Sequence, residues 1–329
     1  MKKLFFLIMT IILSSSLLIA QEQTEEFKPS GKPIVTIFSN AHTTFVDGIN
    51  TSAFEVLRGY LGYEYYFSPE FSTKIIFDVA DPENGSKLQM TAILKNAFLN
   101  YKRGNLNVNF GLIGLNLFAT QEKNWGYRYM MKPFLDEYGF GTSADLGANM
   151  DYKFADFISV DFTIMNGEGY KNLQSDDTYK AGFGVTITPV KNLDIRFYTD
   201  YMKQDFAQQS YAFFAGYKAD KFRVGAEYNM QMNNKMIENN DLLGTSIYST
   251  FFISKKVGIF GRFDYLTSST LKGQSDPWNL SKNGQAYVIG FEYSPVKGVK
   301  LAPNFRGWNP ADNSKGFVSN IYLNCEIKF

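Results

Sequence analysis

Alternation of apolar and charged side chains is clearest in Leu193-Asp194-Ile195-Arg196-Phe197-Tyr198-Thr199-Asp200-Tyr201. The odd positions are mostly apolar or aromatic, and the even positions are mostly charged. Successive side chains of a β-strand point to opposite faces, so a period of two separates these two sets. The stretch therefore predicts a strand with one apolar face and one polar face.

The same pattern recurs along the chain, at residues 105–112, 158–164, 222–231 and 320–329. Beyond residue 21, no stretch approaches the ~20 consecutive apolar residues that a membrane helix needs. We also find no convincing amphipathic helix. The sequence therefore predicts an all-β protein.

The connections between these segments fall into two length classes. Tight turns are expected at residues 68–70, 102–104, 154–156, 189–192, 219–220, 254–256 and 295–298. Longer polar connections are expected near residues 40–53, 80–90, 116–142, 166–178, 203–209, 232–244, 267–284 and 307–316. Strict alternation of short and long connections places each class at one end of an antiparallel sheet, as in outer-membrane barrels. The number of connections indicates about sixteen strands.

The sheet is expected to close into a barrel, because its apolar face must be surrounded by lipid rather than by water. The apolar face is paired with a face rich in Asn, Asp, Arg, Lys and Gly, and no helices are available to cover the apolar side. A bilayer offers no water to unpaired strand edges, so a membrane sheet must close. We therefore predict a transmembrane antiparallel β-barrel over residues 32–329, with short periplasmic turns and long outer loops. The alternative is a soluble, secreted β protein.

The first residues have the order of a secretory signal peptide. Lys2 and Lys3 precede an apolar run, then small residues, and then Ala20 before a polar stretch. This order predicts a signal peptide at residues 1–20, followed by a short periplasmic segment at residues 21–31. The alternative is a membrane anchor helix that is retained.

A barrel of about sixteen strands is too wide for side chains to fill, so it leaves an aqueous channel. The inward face of this barrel is expected to carry charges of both signs. These are expected to pair across neighbouring strands, or simply to solvate the wall. The wall candidates are Arg58, Asp161, Arg196, Asp200, Arg223, Glu227, Arg262, Asp264 and Arg306.

The longest connection, residues 116–142, is the third long loop. A loop of this length is usually functional or disordered, and its many aromatic residues argue against disorder. We therefore predict that it folds into the barrel, with aromatic residues on the wall and charged residues around a pore constriction. The alternative is a cap on the outer surface or a contact between subunits. The constriction candidates are Lys123, Arg128, Lys132, Asp136 and Glu137.

Two short blocks and the terminal strand carry a family resemblance. The strand ending in Phe329 looks like the assembly signal at the end of Gram-negative outer-membrane barrels. Residues 138–148 and 164–170 are similar to segments of the phosphate-selective porin O/P superfamily, especially its Bacteroidetes-type members. The resemblance implies sixteen strands, passive diffusion and often a homotrimer. The expected location is the outer membrane of a Gram-negative bacterium, and the expected partners are the lipid bilayer, the outer-membrane assembly machinery and small hydrophilic solutes.

Three functions remain open for such a barrel. It is expected to be a porin for passive diffusion, with a substrate-specific anion channel or a plugged barrel serving as scaffold or adhesin as alternatives. An enzyme is not expected, because His42 is the single histidine and barrel hydrolases generally need a histidine base. No cofactor or metal is expected, since no phosphate-binding Gly motif and no His/Cys metal spacing occur. A net charge of +1 argues against nucleic acid as a partner.

Overall fold

The computed structural model describes residues 27–81 and 88–329. Within these ranges, sixteen β-strands form one antiparallel sheet. The strands are β1 (Ser30–Val46), β2 (Ile49–Tyr66), β3 (Phe71–Ala80), β4 (Thr91–Arg103), β5 (Leu106–Gly114), β6 (Ala144–Ala155), β7 (Ile158–Met165), β8 (Lys180–Val190), β9 (Leu193–Lys203), β10 (Ala207–Lys218), β11 (Phe222–Met232), β12 (Leu242–Phe252), β13 (Val257–Ser268), β14 (Gly284–Tyr293), β15 (Val299–Pro310) and β16 (Val318–Lys328).

The sheet closes on itself. Each strand pairs with its neighbours in the chain, and β1 pairs with β16 from Thr36↔Lys328 to Phe45↔Ser319. Closure leaves no sheet edge facing lipid along the paired wall. The predicted antiparallel barrel of sixteen strands is confirmed.

The two faces of the wall differ as the sequence alternation predicts. On β9, Arg196 and Asp200 are buried on the inward face, whereas Ile195 is 45% exposed on the outward face. On β16, Asn324 is fully buried and Leu323 is 46% exposed. The polar residues therefore point into the lumen, and the apolar residues form the outer surface.

Two connections predicted to be long are short. Residues 40–53 belong mostly to β1 and β2, which are joined by Asp47 and Gly48. Both residues have positive φ, 49° and 77°, the conformation of a tight hairpin turn for which Asp-Gly is a favoured pair. Residues 203–209 likewise contain only the three-residue connection 204–206. The strict alternation of connection lengths is therefore wrong at these two positions, although the strand count is unaffected.

Two short helices were also missed by sequence reasoning. They are α1 (Ala119–Trp125) and α2 (Phe134–Glu137), both in the connection between β5 and β6. Helices of seven and four residues are too short to show a helical period. No helix in the described part of the chain is long and apolar enough to cross a membrane.

The domain boundaries at the start of the chain stay predictions. The expected signal peptide, residues 1–20, and most of the segment 21–31 lie outside the described residues. β1 begins at Ser30, slightly before the expected position 32.

Candidate pore constriction

The connection between β5 and β6, residues 115–143, lies against the inward face of the barrel. We call it the inner loop. Its Trp125 ring lies 5.1 Å from the ring of Tyr248 on β12 and 6.3 Å from that of Phe260 on β13, and Tyr127 lies 4.5 Å from Phe260. Trp125 and Tyr127 are each only 1% exposed. The aromatic residues of the loop are therefore packed on the inner wall.

Wall side chains also hold the backbone of the inner loop. Arg196 donates to the carbonyl oxygen of Asn116 at 2.9 Å, and Arg262 donates to that of Lys132 at 2.7 Å. Gln231 donates to the carbonyl oxygen of Phe140 at 2.7 Å. Irregular backbone inside a membrane barrel needs such partners, because an unpaired buried carbonyl is costly. The wall therefore supplies hydrogen-bond donors to backbone carbonyl groups along the loop.

Gly126 is one place where the loop backbone comes close to the wall. It ends α1 in the left-handed region at φ 71°, and its N–H donates to the carbonyl oxygen of Glu122 at 2.9 Å. A Cβ at this position would lie 2.2 Å from Nη1 of Arg223. The backbone conformation therefore favours glycine here, and any larger residue would also displace the end of the Arg223 side chain.

Arg223 lies against the ring of Tyr127 in the inner loop rather than against a carboxylate. Its guanidinium carbon lies 4.8 Å from the ring centre of Tyr127, and Nη2 donates to Oγ1 of Thr250 at 3.1 Å. Burial raises the pKa of Tyr127 to about 12, so the phenol stays neutral. The contact is a cation–π interaction that joins β11 to the inner loop.

The predicted wall residues all lie on the inward face. Arg58 and Arg306 are half-buried. The others are buried, namely Asp161, Arg196, Asp200, Arg223, Glu227, Arg262 and Asp264.

Three of the wall arginines form ion pairs. Arg58 Nε lies 3.1 Å from Oδ1 of Asp78 on the neighbouring strand, and Arg262 Nη2 lies 2.7 Å from Oδ2 of Asp264 on its own strand. Arg196 Nη1 lies 2.6 Å from Oδ2 of Asp161, which is two strands away rather than adjacent. Arg196 Nη1 also donates to Oγ1 of Thr186 on the flanking strand β8 at 3.0 Å, so its hydrogen bond stays with a neighbour while its ion pair spans two strands.

The other wall candidates have no ion-pair partner within the described ranges. Glu227 accepts a hydrogen bond from Asn229 at 3.0 Å, and Arg306 donates to Asn304 and Asn324 at 2.9 and 2.6 Å. Both carboxylate oxygens of Asp200 are buried without a hydrogen-bond partner. These wall side chains are therefore held by neutral partners or by none, rather than by ion pairs, in the described ranges.

Three of the five constriction candidates join one network within the inner loop. Arg128 lies 3.2 Å from Glu122 and 3.0 Å from Asp136, and Lys132 lies 3.9 Å from Asp136. Lys123 and Glu137 are exposed. Glu122 was missed by sequence reasoning, because its approach to Arg128 depends on the turn at the end of α1. Burial raises the pKa of Glu122, and the Arg128 charge opposes that shift.

The inner loop leaves open space on the side that faces β2 and β3. A cavity of about 510 Å³ lies there. Its charged lining residues are Arg58, Asp81, Arg128, Lys132, Glu137, Lys171 and Arg306. A smaller cavity of about 180 Å³ shares four of these basic residues and adds Asp136 and Glu168. Four constriction candidates, all except Lys123, therefore line these two spaces.

Lys95 is a lumen residue that sequence reasoning missed. Its Nζ lies 3.3 Å from the hydroxyl oxygen of Tyr60 and 4.8 Å from that ring's centre. The pairing of β3 with β4 shifts between Ile76 and Phe77, and this shift leaves Lys95 as the extra residue of a bulge. A bulge interrupts the period of two on which the sequence analysis depended.

No group of three or more His, Cys, Asp or Glu side chains is placed to hold a metal ion within the described ranges. His42 lies within β1, and its Nδ1 is 2.8 Å from Oδ1 of Asn40. It is a residue of the inner wall, not of a loop as its sequence position had suggested.

No protein-family model matches the chain, and no curated protein matches it. Several solved structures are similar to it. OprB of Pseudomonas putida, at high pH, is 9% identical with a TM-score of 0.71, covering 91% of this chain and 94% of that one. The anion-selective porin of Comamonas acidovorans is 9% identical with a TM-score of 0.65, covering 92% and 100%. OmpT of Vibrio cholerae, in its trimer form, is 13% identical with a TM-score of 0.57, covering 91% and 100%. The chain therefore has the barrel fold of outer-membrane proteins.

Proposed function

We propose that this chain is a porin of the outer membrane of a Gram-negative bacterium, through which small hydrophilic solutes diffuse passively. The observation that carries this proposal is the asymmetric packing of the inner loop. The loop contacts β11, β12 and β13 closely through Gly126, Trp125 and Tyr127. It leaves cavities with a charged lining on the opposite side, towards β2 and β3.

In this proposal the charged part of the inner loop forms the constriction. Arg128, Lys132, Asp136 and Glu137 line the open side, and Lys123 is exposed on α1. Charged rings of this kind select among permeating ions by their field and by the size of the opening. The wall charges on β2 and β15 complete the lining through Arg58 and Arg306.

Single-channel recording tests the porin function. The purified protein, inserted into a planar bilayer in KCl, is expected to give discrete steps of current that persist at low voltage. Liposome swelling with sugars of increasing size then gives the diameter of the opening. A protein that is folded and inserted but electrically silent would instead support the plugged scaffold or adhesin.

An anion-specific channel is the second candidate, and the lining of the larger cavity favours it. That lining has five basic residues, Arg58, Arg128, Lys132, Lys171 and Arg306, against the two acids Asp81 and Glu137. The similar Comamonas barrel is itself described as anion-selective. The reversal potential in a KCl gradient tests this candidate, since an anion channel shifts it towards the chloride equilibrium potential.

The remaining parts of the proposal concern family, export and assembly. The resemblance of residues 138–148 and 164–170 to the phosphate-selective porin O/P superfamily supports passive diffusion. Export through a signal peptide at residues 1–20 and folding by the outer-membrane assembly machinery agree with a barrel in this membrane. A homotrimer is supported by the trimer form of the Vibrio cholerae relative. Intact mass of the purified protein and crosslinking in the membrane test these two points.

A further inference from the structure

A third cavity, of about 540 Å³, lies between the inner loop and β13 to β15. It meets the 510 Å³ cavity at three residues that line both, Met131, Glu137 and Arg306. Its walls are chemically divided. One part is apolar or aromatic, formed by Met131, Tyr138, Leu266, Ala286, Val288 and Trp308. The charged part consists of Asp136, Glu137, Lys282 and Arg306.

Arg306 presents a fixed positive charge to this cavity. Its Nε and Nη2 donate to the side-chain oxygens of Asn304 and Asn324 at 2.9 and 2.6 Å. Its guanidinium carbon lies 4.0 Å from the ring centre of Tyr322. In the described parts of the chain no carboxylate pairs with it and Nη1 makes no hydrogen bond. A guanidinium held in this way is suited to bind a carboxylate from solution.

Glu137 supplies the opposite charge in the same cavity. It is exposed at the end of α2, and its carboxylate makes no ion pair within the described ranges. Asp136 beside it is different, because it is already paired with Arg128 and Lys132. Glu137 and Arg306 therefore face the same space without pairing with each other. A ligand with both charges would satisfy the two groups at once.

An aromatic wall adjoins this pair of charges. The rings of Tyr138 and Trp308 are stacked, with centres 6.3 Å apart and an interplanar angle of 29°. The hydroxyl of Tyr138 donates to Asp264 at 3.1 Å, which fixes the orientation of its ring. Flat, partly exposed rings of this kind bind apolar and aromatic groups through their faces.

We propose that this cavity binds zwitterionic amino acids or short peptides that carry an aromatic or apolar side chain. The carboxylate of the ligand binds Arg306, its ammonium group binds Glu137, and its side chain packs against Trp308 and Tyr138. An inorganic anion would bind Arg306 but neither Glu137 nor the aromatic rings. A neutral sugar would form no ion pair with Arg306 or Glu137. This inference rests on the proposed porin function, for which it names a class of solute.

Calorimetry on the folded protein in detergent tests binding without requiring ion flow. The probes are L-phenylalanine, 3-phenylpropanoate, which lacks the ammonium group, and L-phenylalaninamide, which lacks the carboxylate. Hydrogen bonds to charged groups are strong enough that each missing group is expected to weaken binding about tenfold. Equal binding of all three probes, or no binding of phenylalanine, would overturn the proposal.

Matched variants test which charged group of the ligand binds Glu137 and which binds Arg306. Glu137→Gln is expected to bind phenylalanine and 3-phenylpropanoate equally, and Arg306→Gln to bind phenylalanine and its amide equally. Glu168→Gln removes a carboxylate from a different cavity, and Lys282→Gln removes the other cation of this one. Both controls are expected to keep the preference of the wild type for the zwitterion. If Arg306→Gln does not fold, as judged by the heat-modifiable mobility of the barrel on gels, Arg306→Lys is used, with weaker but measurable carboxylate binding expected.

Ion currents separate this proposal from the porin function. A protein that prefers phenylalanine in calorimetry but carries no current contradicts the porin and leaves the binding site standing. A protein that conducts but shows no preference among the three probes contradicts the binding site and leaves the porin standing. If both hold, phenylalanine is expected to reduce the ion current of the wild type more than that of Glu137→Gln.

Discussion

Arg196 on β9 and Asp161 on β7 are joined across the strand that lies between them. The two guanidinium–carboxylate contacts are 2.6 and 3.0 Å long. β8 passes between the partners at Gly184, where an added Cβ would lie 2.4 Å from Asp161 Oδ2 and 2.5 Å from Arg196 Nη2. The absence of a side chain at Gly184 therefore makes the ion pair possible. The same guanidinium donates to the carbonyl oxygen of Asn116, so the pair also fixes the start of the inner loop.

Replacing Gly184 by alanine is expected to displace this ion pair. Overpacking of a filled site typically costs about 1–3 kcal/mol, and we expect a loss of this size in the free energy of unfolding. Urea titration of the folded barrel, followed by tryptophan fluorescence, measures it. Gly261→Ala is the matched control, because its Cβ would meet only one atom, Val288 O at 3.7 Å. Equal stability of the two variants would contradict the role given to Gly184.

Trp125 is expected to hold the inner loop on the wall. Trp125→Ala removes the ring contacts with Tyr248 and Phe260 and the indole hydrogen bond to the carbonyl oxygen of Met131 at 2.9 Å. Truncation of a buried Trp costs about 3–5 kcal/mol, enough to release a docked loop. We expect a larger and noisier single-channel conductance from a barrel that is still closed.

The control for Trp125 is an aromatic residue on the outward face. Phe213 on β10 is 48% exposed there, so Phe213→Ala changes the barrel without touching the inner loop. Its conductance is expected to equal that of the wild type. If Trp125→Ala also conducts as the wild type does, the loop is held by other contacts.

The sequence predicted the wall better than it predicted the site. Alternation at residues 193–201 identified β9 and placed Arg196 and Asp200 on its inward face, because the period of two follows directly from strand geometry. The aromatic content of residues 116–142 predicted an inward loop, since Trp125 and Tyr127 need a surface to pack on. The partners of Arg128 could not be predicted, because they depend on α1 and its left-handed end at Gly126. Nor could alternation reveal Lys95, which belongs to a bulge.

The selectivity of the constriction should depend on the charges of the inner loop. Replacing Arg128 and Lys132 together by glutamine removes two cations and frees Glu122 and Asp136 from their ion pairs. We expect the reversal potential in a KCl gradient to shift towards cation selectivity. Replacing Asp136 and Glu137 by their amides is expected to shift it towards anion selectivity.

A second double variant controls for changes of charge elsewhere. Lys255 and Lys256 are both exposed at the turn between β12 and β13, so neutralising them removes two cations away from the inner loop. Neutralising both is expected to leave the reversal potential unchanged. The loop is not the constriction if both loop variants also keep the reversal potential of the wild type.

Glu122 should make this selectivity depend on pH. Burial raises the pKa of Glu122, so on acidification it takes up a proton at a higher pH than an ordinary glutamate, whose pKa is about 4.3. Protonation removes the negative charge that lies 3.2 Å from Arg128 and leaves the positive field of Arg128 less compensated. Anion selectivity is therefore expected to increase as the pH falls from neutral, before exposed carboxylates protonate.

Glu122→Gln is expected to show the more anion-selective state already at neutral pH and to lose this part of the pH dependence. Reversal potentials of the wild type and Glu122→Gln across a pH series test this, and parallel curves for the two proteins would show that Glu122 does not set the field at the constriction.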